Sequence, residues 1–158
     1  MTENSDKIMK IAASYGLILG FVLVALEIVS NIFKVQLLFV IFFSFAGGIF
    51  YATTVYREKY LGGNISYNKS LLFGVLLSGF SFILLGMYAY MYIFLNPNEF
   101  KELFDIVVQN MKEKGISVSE IPDNPNINPL MVIISYTFLG LIFGLIISSV
   151  TSIFTKKD

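Results

Sequence analysis

Cysteine, histidine and tryptophan are absent from this chain of 158 residues. The lack of cysteine removes disulfides and thiolate nucleophiles. Without histidine there is no imidazole base and no His-ligated haem, and the usual Cys/His zinc sites go with both. Charge is also scarce. Charged residues make up 14% of the chain, against about 25% in a soluble domain. Eleven basic residues balance eleven acidic ones, so no global charge favours nucleic acid. What fills the chain instead is apolar: 56% of residues are hydrophobic, and mean hydropathy is +0.74. A bilayer removes the need for a polar surface. The composition therefore indicates an all-α integral membrane protein.

Ile11 to Ile32 is the first apolar stretch. About 22 residues at about 1.5 Å each reach roughly 33 Å, enough to cross a hydrocarbon core of about 30 Å. Its length argues against a cleaved signal peptide, and no Ala-x-Ala-like site follows it. Three further stretches repeat the theme, at about 35–55, 71–95 and 130–154. The expected architecture is one membrane domain over residues 1–158, a four-transmembrane-helix bundle. The short loop 56–70 joins spans two and three, and Gly62-Gly63 marks its turn. Tyr56, Tyr60 and Tyr67 suit the headgroup level. Asn64-Ile65-Ser66 and Asn68-Lys69-Ser70 match the glycosylation pattern, but the topology derived below places them in the cytoplasm, so both are chance matches.

The long loop 96–129 opens with helix signals. Asn96 suits an N-cap, Pro97 the first helical position, and Glu99 a capping box. Phe100, Leu103, Phe104, Val107 and Met111 recur at helical spacing, and Gly115 supplies a stop. This predicts an amphipathic helix that packs on the bundle or rests in the interface, or else serves as a lid or docking element. From Ile116 to Asn128 the prolines Pro122, Pro125 and Pro129 favour irregular chain, and Asn128-Pro129 caps span four.

Charge sets the topology. With the N-terminus inside, the inner segments hold Lys7, Lys10, Arg57, Lys59, Lys69, Lys156 and Lys157. The outer segments hold only Lys34, Lys101, Lys112 and Lys114. The outer loop also carries Glu99, Glu102, Asp105, Glu113, Glu120 and Asp123. The positive-inside rule places both termini in the cytoplasm, in the cell inner membrane.

Glu27 is the one ionisable group inside the first span. It lies seven residues after Gly20, about 700° of helix, and so shares a face with it to within about 20°. Gly16 and Gly20 are small enough to admit a neighbouring helix, so Glu27 is expected to face the bundle. A carboxyl in the membrane is costly and is a functional hypothesis by default. A purely structural role stands beside it, in which Glu27 snorkels outward or pairs with Lys34. At similar depth lie Tyr88 and Tyr90 of span three and Ser135 and Tyr136 of span four. Together with Glu27 they form the candidate polar site. Gly140, Gly144 and Ser148 form a second small-residue stripe, read with Gly16 and Gly20 as helix packing rather than as a ligand site. No nucleophile–base set and no metal cluster is visible, so neither a metal nor another cofactor is expected.

The order of elements points to a family. A Glu-bearing first span is followed by a second ending Tyr-Arg-Glu-Lys. Leu-Gly-Gly-Asn-Ile-Ser-Tyr at 61–67 then leads into a Gly-containing third span. Met-Lys-Glu-Lys-Gly-Ile-Ser-Val-Ser-Glu at 111–120 precedes the last one. This resembles the bacterial integral-membrane family catalogued as domain of unknown function 4199, over nearly the whole chain. The resemblance implies a four-helix inner-membrane protein and no reaction.

Three functional classes follow. The first is a non-enzymatic component that assembles with itself or another membrane protein in the lipid bilayer. The second is a small transporter or channel subunit using Glu27 as a proton- or cation-linked site. The third and weakest is a membrane enzyme acting on lipid or peptidoglycan precursors.

Overall fold

The structure is a computed structural model that describes residues 2–115 and 128–156. The expectations for 116–127, including the second half of the 111–120 stretch, lie outside the described residues. Among the described residues five helices follow one another: α1 (Thr2–Phe33), α2 (Leu38–Tyr60), α3 (Tyr67–Leu95), α4 (Pro97–Glu113) and α5 (Pro129–Thr155). Four of them are long and apolar enough to span a membrane, and α4 is the shorter helix between spans three and four. The shortest spanning helix, α2, has 23 residues. That gives about 35 Å of rise, more than the hydrocarbon core requires.

The outward faces of these helices are strongly apolar. Phe39, Phe43, Phe138 and Phe154 are all more than 60% exposed. In water such a surface would aggregate; lipid is the solvent that suits it. The chain is a multi-pass membrane protein.

α3 is the spine of the bundle. Its main partners are α5 and α1, and α2 touches all three. Small residues decide how closely these helices approach. A Cβ on Gly16 would lie 2.6 Å from the Leu77 carbonyl oxygen, and one on Gly20 would lie 2.9 Å from that of Ser81. The backbone of α1 therefore rests directly on α3. Ser81 Oγ donates to the Gly16 carbonyl at 2.8 Å and to the Leu77 carbonyl at 2.9 Å. On the opposite flank, Gly140 and Gly144 of α5 accept Phe82 and Ser78, while Gly74 of α3 accepts Ser148. Both stripes are thus consumed inside one chain. Gly48 of α2 seats Leu19 of α1 in the same way.

The end of the bundle that carries Lys7 and Lys156 is tied by buried hydroxyls. Ser152 Oγ donates to Ser70 Oγ at 2.8 Å, and Ser70 Oγ lies 2.8 Å from Thr155 Oγ1. Arg57 donates to the Thr155 carbonyl at 2.8 Å. Ile65, only 2% exposed, pins the 61–66 turn to the core. Gly62 and Gly63 hold that turn at φ +67° and +95°, where a side chain is disfavoured.

Several local expectations need correction. The α2 helix runs through Arg57, Glu58 and Lys59 to Tyr60. Span two begins at Leu38 rather than Val35. Before it, Lys34 takes φ +52° while the Val35 N–H donates to the Ser30 carbonyl at 3.2 Å. This is a left-handed helix terminus of the kind glycine usually makes. Asn128 does cap α5, accepting from the Leu130 N–H at 2.9 Å. Asn96 does not cap α4: its side chain donates back to the Tyr92 carbonyl at 3.0 Å, because the same residue ends α3. The capping box fails with it, since Glu99 turns to other partners.

Candidate functional site

At the α4 end the helices leave a cavity of about 320 Å³. Its floor is α3, through Leu85, Tyr88, Ala89, Tyr92 and Ile93. Glu27 and Asn31 of α1 line it too, as do Tyr136 of α5 and Phe100 of α4. Close packing further down creates this arrangement. Gly16 and Gly20 bring α1 onto α3, and Glu27 follows Gly20 on the same face, half-buried. Gly86 does the same for α5: a Cβ there would meet Ile133 Cα at 2.9 Å and Tyr136 Cβ at 3.1 Å. Tyr136 therefore reaches the cavity across the back of α3.

Of the five predicted polar-site residues, Glu27, Tyr88 and Tyr136 meet in this cavity. Tyr90 and Ser135 are not among its lining. Tyr90 pairs with Phe94 on another face of α3, with ring centroids 6.3 Å apart, and Ser135 is exposed. Equal depth was a sound guide to level, but helical phase decides direction. Six further residues line the cavity, and three of them carry polar or aromatic groups that the sequence reading did not assign to the site: Asn31, Tyr92 and Phe100. Asn31 lies four residues after Glu27 and Tyr92 four after Tyr88, and the i,i+4 rule would have found both.

Glu27 does not pair with Lys34. Lys34 instead reaches Glu99 of α4 at 3.4 Å. Among the described residues, no hydrogen bond or ion pair engages Glu27. Its neighbours are better served. Asn31 Nδ2 donates to Tyr88 Oη at 3.0 Å, which ties α1 to α3. Tyr92 Oη donates to Glu99 Oε2 at 2.5 Å. Glu99 thus joins α1, α3 and α4 at one point, and it brings Phe100 to the cavity. Phe100 stacks on Phe104, and Phe104, Val108 and Met111 are partly buried. Val107 is 54% exposed, so the sheltered face of α4 runs through Val108 rather than the expected Val107.

The sequence model of the family described as protein of unknown function (DUF4199) matches residues 14–157. The chain belongs to this family. Neither a functionally curated protein nor a solved structure matches the chain. The DUF4199 match covers the whole Glu27 cavity and all of α4, while Lys7 and Lys10 precede it. Among the described residues no cluster of three His, Cys, Asp or Glu side chains could hold a metal ion.

The Glu99 contacts make the seating of α4 in this DUF4199 protein sensitive to acid. The Tyr92 hydroxyl first, and Lys34 second, hold the Glu99 carboxyl below the usual carboxylate range. A depressed carboxyl stabilises the docked state above its free pKa. That contribution is lost as pH falls through the lowered value. Spin labels on α1 and α4 should therefore report a fixed separation at neutral pH that broadens once pH drops below the ordinary glutamate range. Glu99→Gln should broaden it at neutral pH. An unchanged separation in both cases would mean that apolar contacts alone hold α4.

Proposed function

We propose that this protein is a non-enzymatic, small-cation-binding component of the cytoplasmic membrane, with Glu27 as the charged element of its site. The observation that carries this reading is a half-buried carboxylate with no counter-charge among the described residues, set in a cavity walled by tyrosine and phenylalanine rings. An uncompensated carboxylate at membrane depth is costly, and a bound cation relieves that cost. Aromatic faces attract organic cations in particular. At about 320 Å³ the cavity is at the small end of ligand pockets and suits an alkylammonium ion. Transport or permeation of that cation is the natural use of such a site in a spanning bundle.

The excess of basic residues at the terminal end supports an orientation with both termini cytoplasmic and the Glu27 cavity toward the outside. Calorimetric titration of the protein in nanodiscs with tetraethylammonium tests the binding. Saturable heat that vanishes in Glu27→Gln supports the reading; equal heats in the two proteins end it.

Assembly with a second copy or another membrane protein is the other reading. The stripes that first suggested it are buried within the chain, but Gly47 of α2 faces open space between the exposed rings of Phe43 and Tyr51. A glycine notch in an outward helix face admits a neighbouring helix. Since the chain has no cysteine, Gly47→Cys in native membranes gives an unambiguous crosslinking assay. A disulfide-linked dimer would support self-association, and exclusively monomeric protein would leave that face to lipid.

A further inference from the structure

A second cavity, of about 290 Å³, lies at the opposite end of the bundle. Lys7 and Ile8 of α1 line it, with Tyr56 and Tyr60 of α2, Leu61 of the turn, and Lys69 and Leu72 of α3. The geometry points to a binding site for a phosphate-bearing anion here, independent of the Glu27 cavity.

Charge is the first reason. Two lysines on different helices line one concavity, and among the described residues no acidic side chain lines it. The nearby acid Glu58 is committed to Arg57 at 2.7 Å, and Arg57 in turn donates to the Thr155 carbonyl. Neither enters the cavity. The positive-inside rule asks only that lysines sit somewhere on the inner side. It does not ask that Lys7 and Lys69, distant in the chain, share a pocket.

Donor chemistry is the second reason. Ammonium groups and phenol hydroxyls both donate, and phosphate oxygens are acceptors. Tyr56 is held in place, its ring stacked on the fully buried Phe73 with centroids 4.3 Å apart and planes within 2°.

Position is the third. Ile8, Leu61 and Leu72 supply an apolar wall beside the donors. Leu72 is 50% exposed, on a surface that faces lipid. A headgroup phosphate fits this place with its glycerol and chains leaving along Leu72. A free phosphate would use the same donors and leave the apolar wall bare. Basic pockets between spanning helices are known to take anionic headgroups.

Native mass spectrometry of the full chain, released from micelles holding either phosphatidylglycerol or phosphatidylcholine, tests the assignment. Wild type should retain one phosphatidylglycerol in preference to phosphatidylcholine. The double variant Lys7→Gln, Lys69→Gln should weaken retention about fivefold per lysine, hence about twenty-fivefold for the pair. Both lysines are exposed, so the fold should survive, and circular dichroism checks that. A control with the same charge change outside the cavity, Lys59→Gln with Lys156→Gln, should stay within about twofold, because exposed charges farther away are screened. Equal losses in the two double variants would overturn the site and leave a diffuse surface potential, and so would equal retention of the two lipids by wild type. Inorganic phosphate separates the sources. If it displaces the lipid, the donors recognise phosphate by itself; if it does not, the apolar wall and the chains are part of recognition.

Discussion

Gly16→Leu is expected to break the α1–α3 contact, while Gly47→Leu leaves the bundle intact. At Gly16 a Cβ alone would lie 2.6 Å from the Leu77 carbonyl oxygen and 2.8 Å from Phe80 Cβ. The first obstacle is backbone and cannot rotate away. A leucine there must push the helices apart or bend one of them. Overpacking of this kind costs about 1–3 kcal/mol, and more where backbone must shift. It would also open the interhelical bond from Ser81 Oγ to the Gly16 carbonyl, leaving that hydroxyl only the Leu77 carbonyl of its own helix. At Gly47 nothing lies within 4 Å, so the same side chain meets only lipid. Thermal melts in mild detergent should show a transition lowered by roughly 5–10 °C for Gly16→Leu. Little change is expected for Gly47→Leu. Similar melts for both would mean that α1 does not rest on α3 as described. Loss of assembly without loss of stability in Gly47→Leu would point to the intermolecular role of that notch.

Glu27→Gln should weaken tetraethylammonium binding by about thirtyfold. Removing the charged partner of a desolvated ion costs about 2–5 kcal/mol. Glu27 is only half-buried, so the lower end applies, and about 2 kcal/mol is about thirtyfold. The rings contribute less. Tyr136→Ala should cost about two- to fivefold, the value of one partly exposed cation–aromatic contact. Tyr136→Phe, which keeps the ring, should cost little. Stability should move the other way. Glutamine lacks the uncompensated charge, so Glu27→Gln should melt at the wild-type temperature or above it. A variant that binds normally but melts low would make Glu27 a structural residue and overturn the site. The two substitutions also connect. Gly16→Leu displaces α1, and with it Glu27 and the Asn31–Tyr88 bond, so binding should fall even though no lining residue has changed.

Class and span number were legible because they depend on length and hydropathy, which local sequence carries in full. The same holds for Gly62-Gly63, Gly115 and Asn128, whose roles depend on a few neighbouring residues. Gly115 does end its helix region at φ +73°. The face of α1 that carries Gly16, Gly20 and Glu27 was legible too, because 3.6-residue periodicity is a property of one helix alone.

Tertiary structure decided what those faces meet. The Gly16/Gly20 and Gly140/Gly144/Ser148 stripes announce close packing in the sequence without naming the partner. Only the assembled bundle assigns both to α3, leaving Gly47 as the outward notch. Depth along a span can be counted from sequence, but the relative rotation of two helices cannot. That is why Tyr88 and Tyr136 reach Glu27 while Tyr90 and Ser135 do not. Glu99 makes the same point. Its sequence context favours a cap, but once α3 and α4 share Asn96 at their junction, the Tyr92 hydroxyl and Lys34 offer the carboxylate stronger partners than an orphan N–H. Charge-assisted bonds across helices prevailed over a local rule, because the competing partners exist only when the chain is folded.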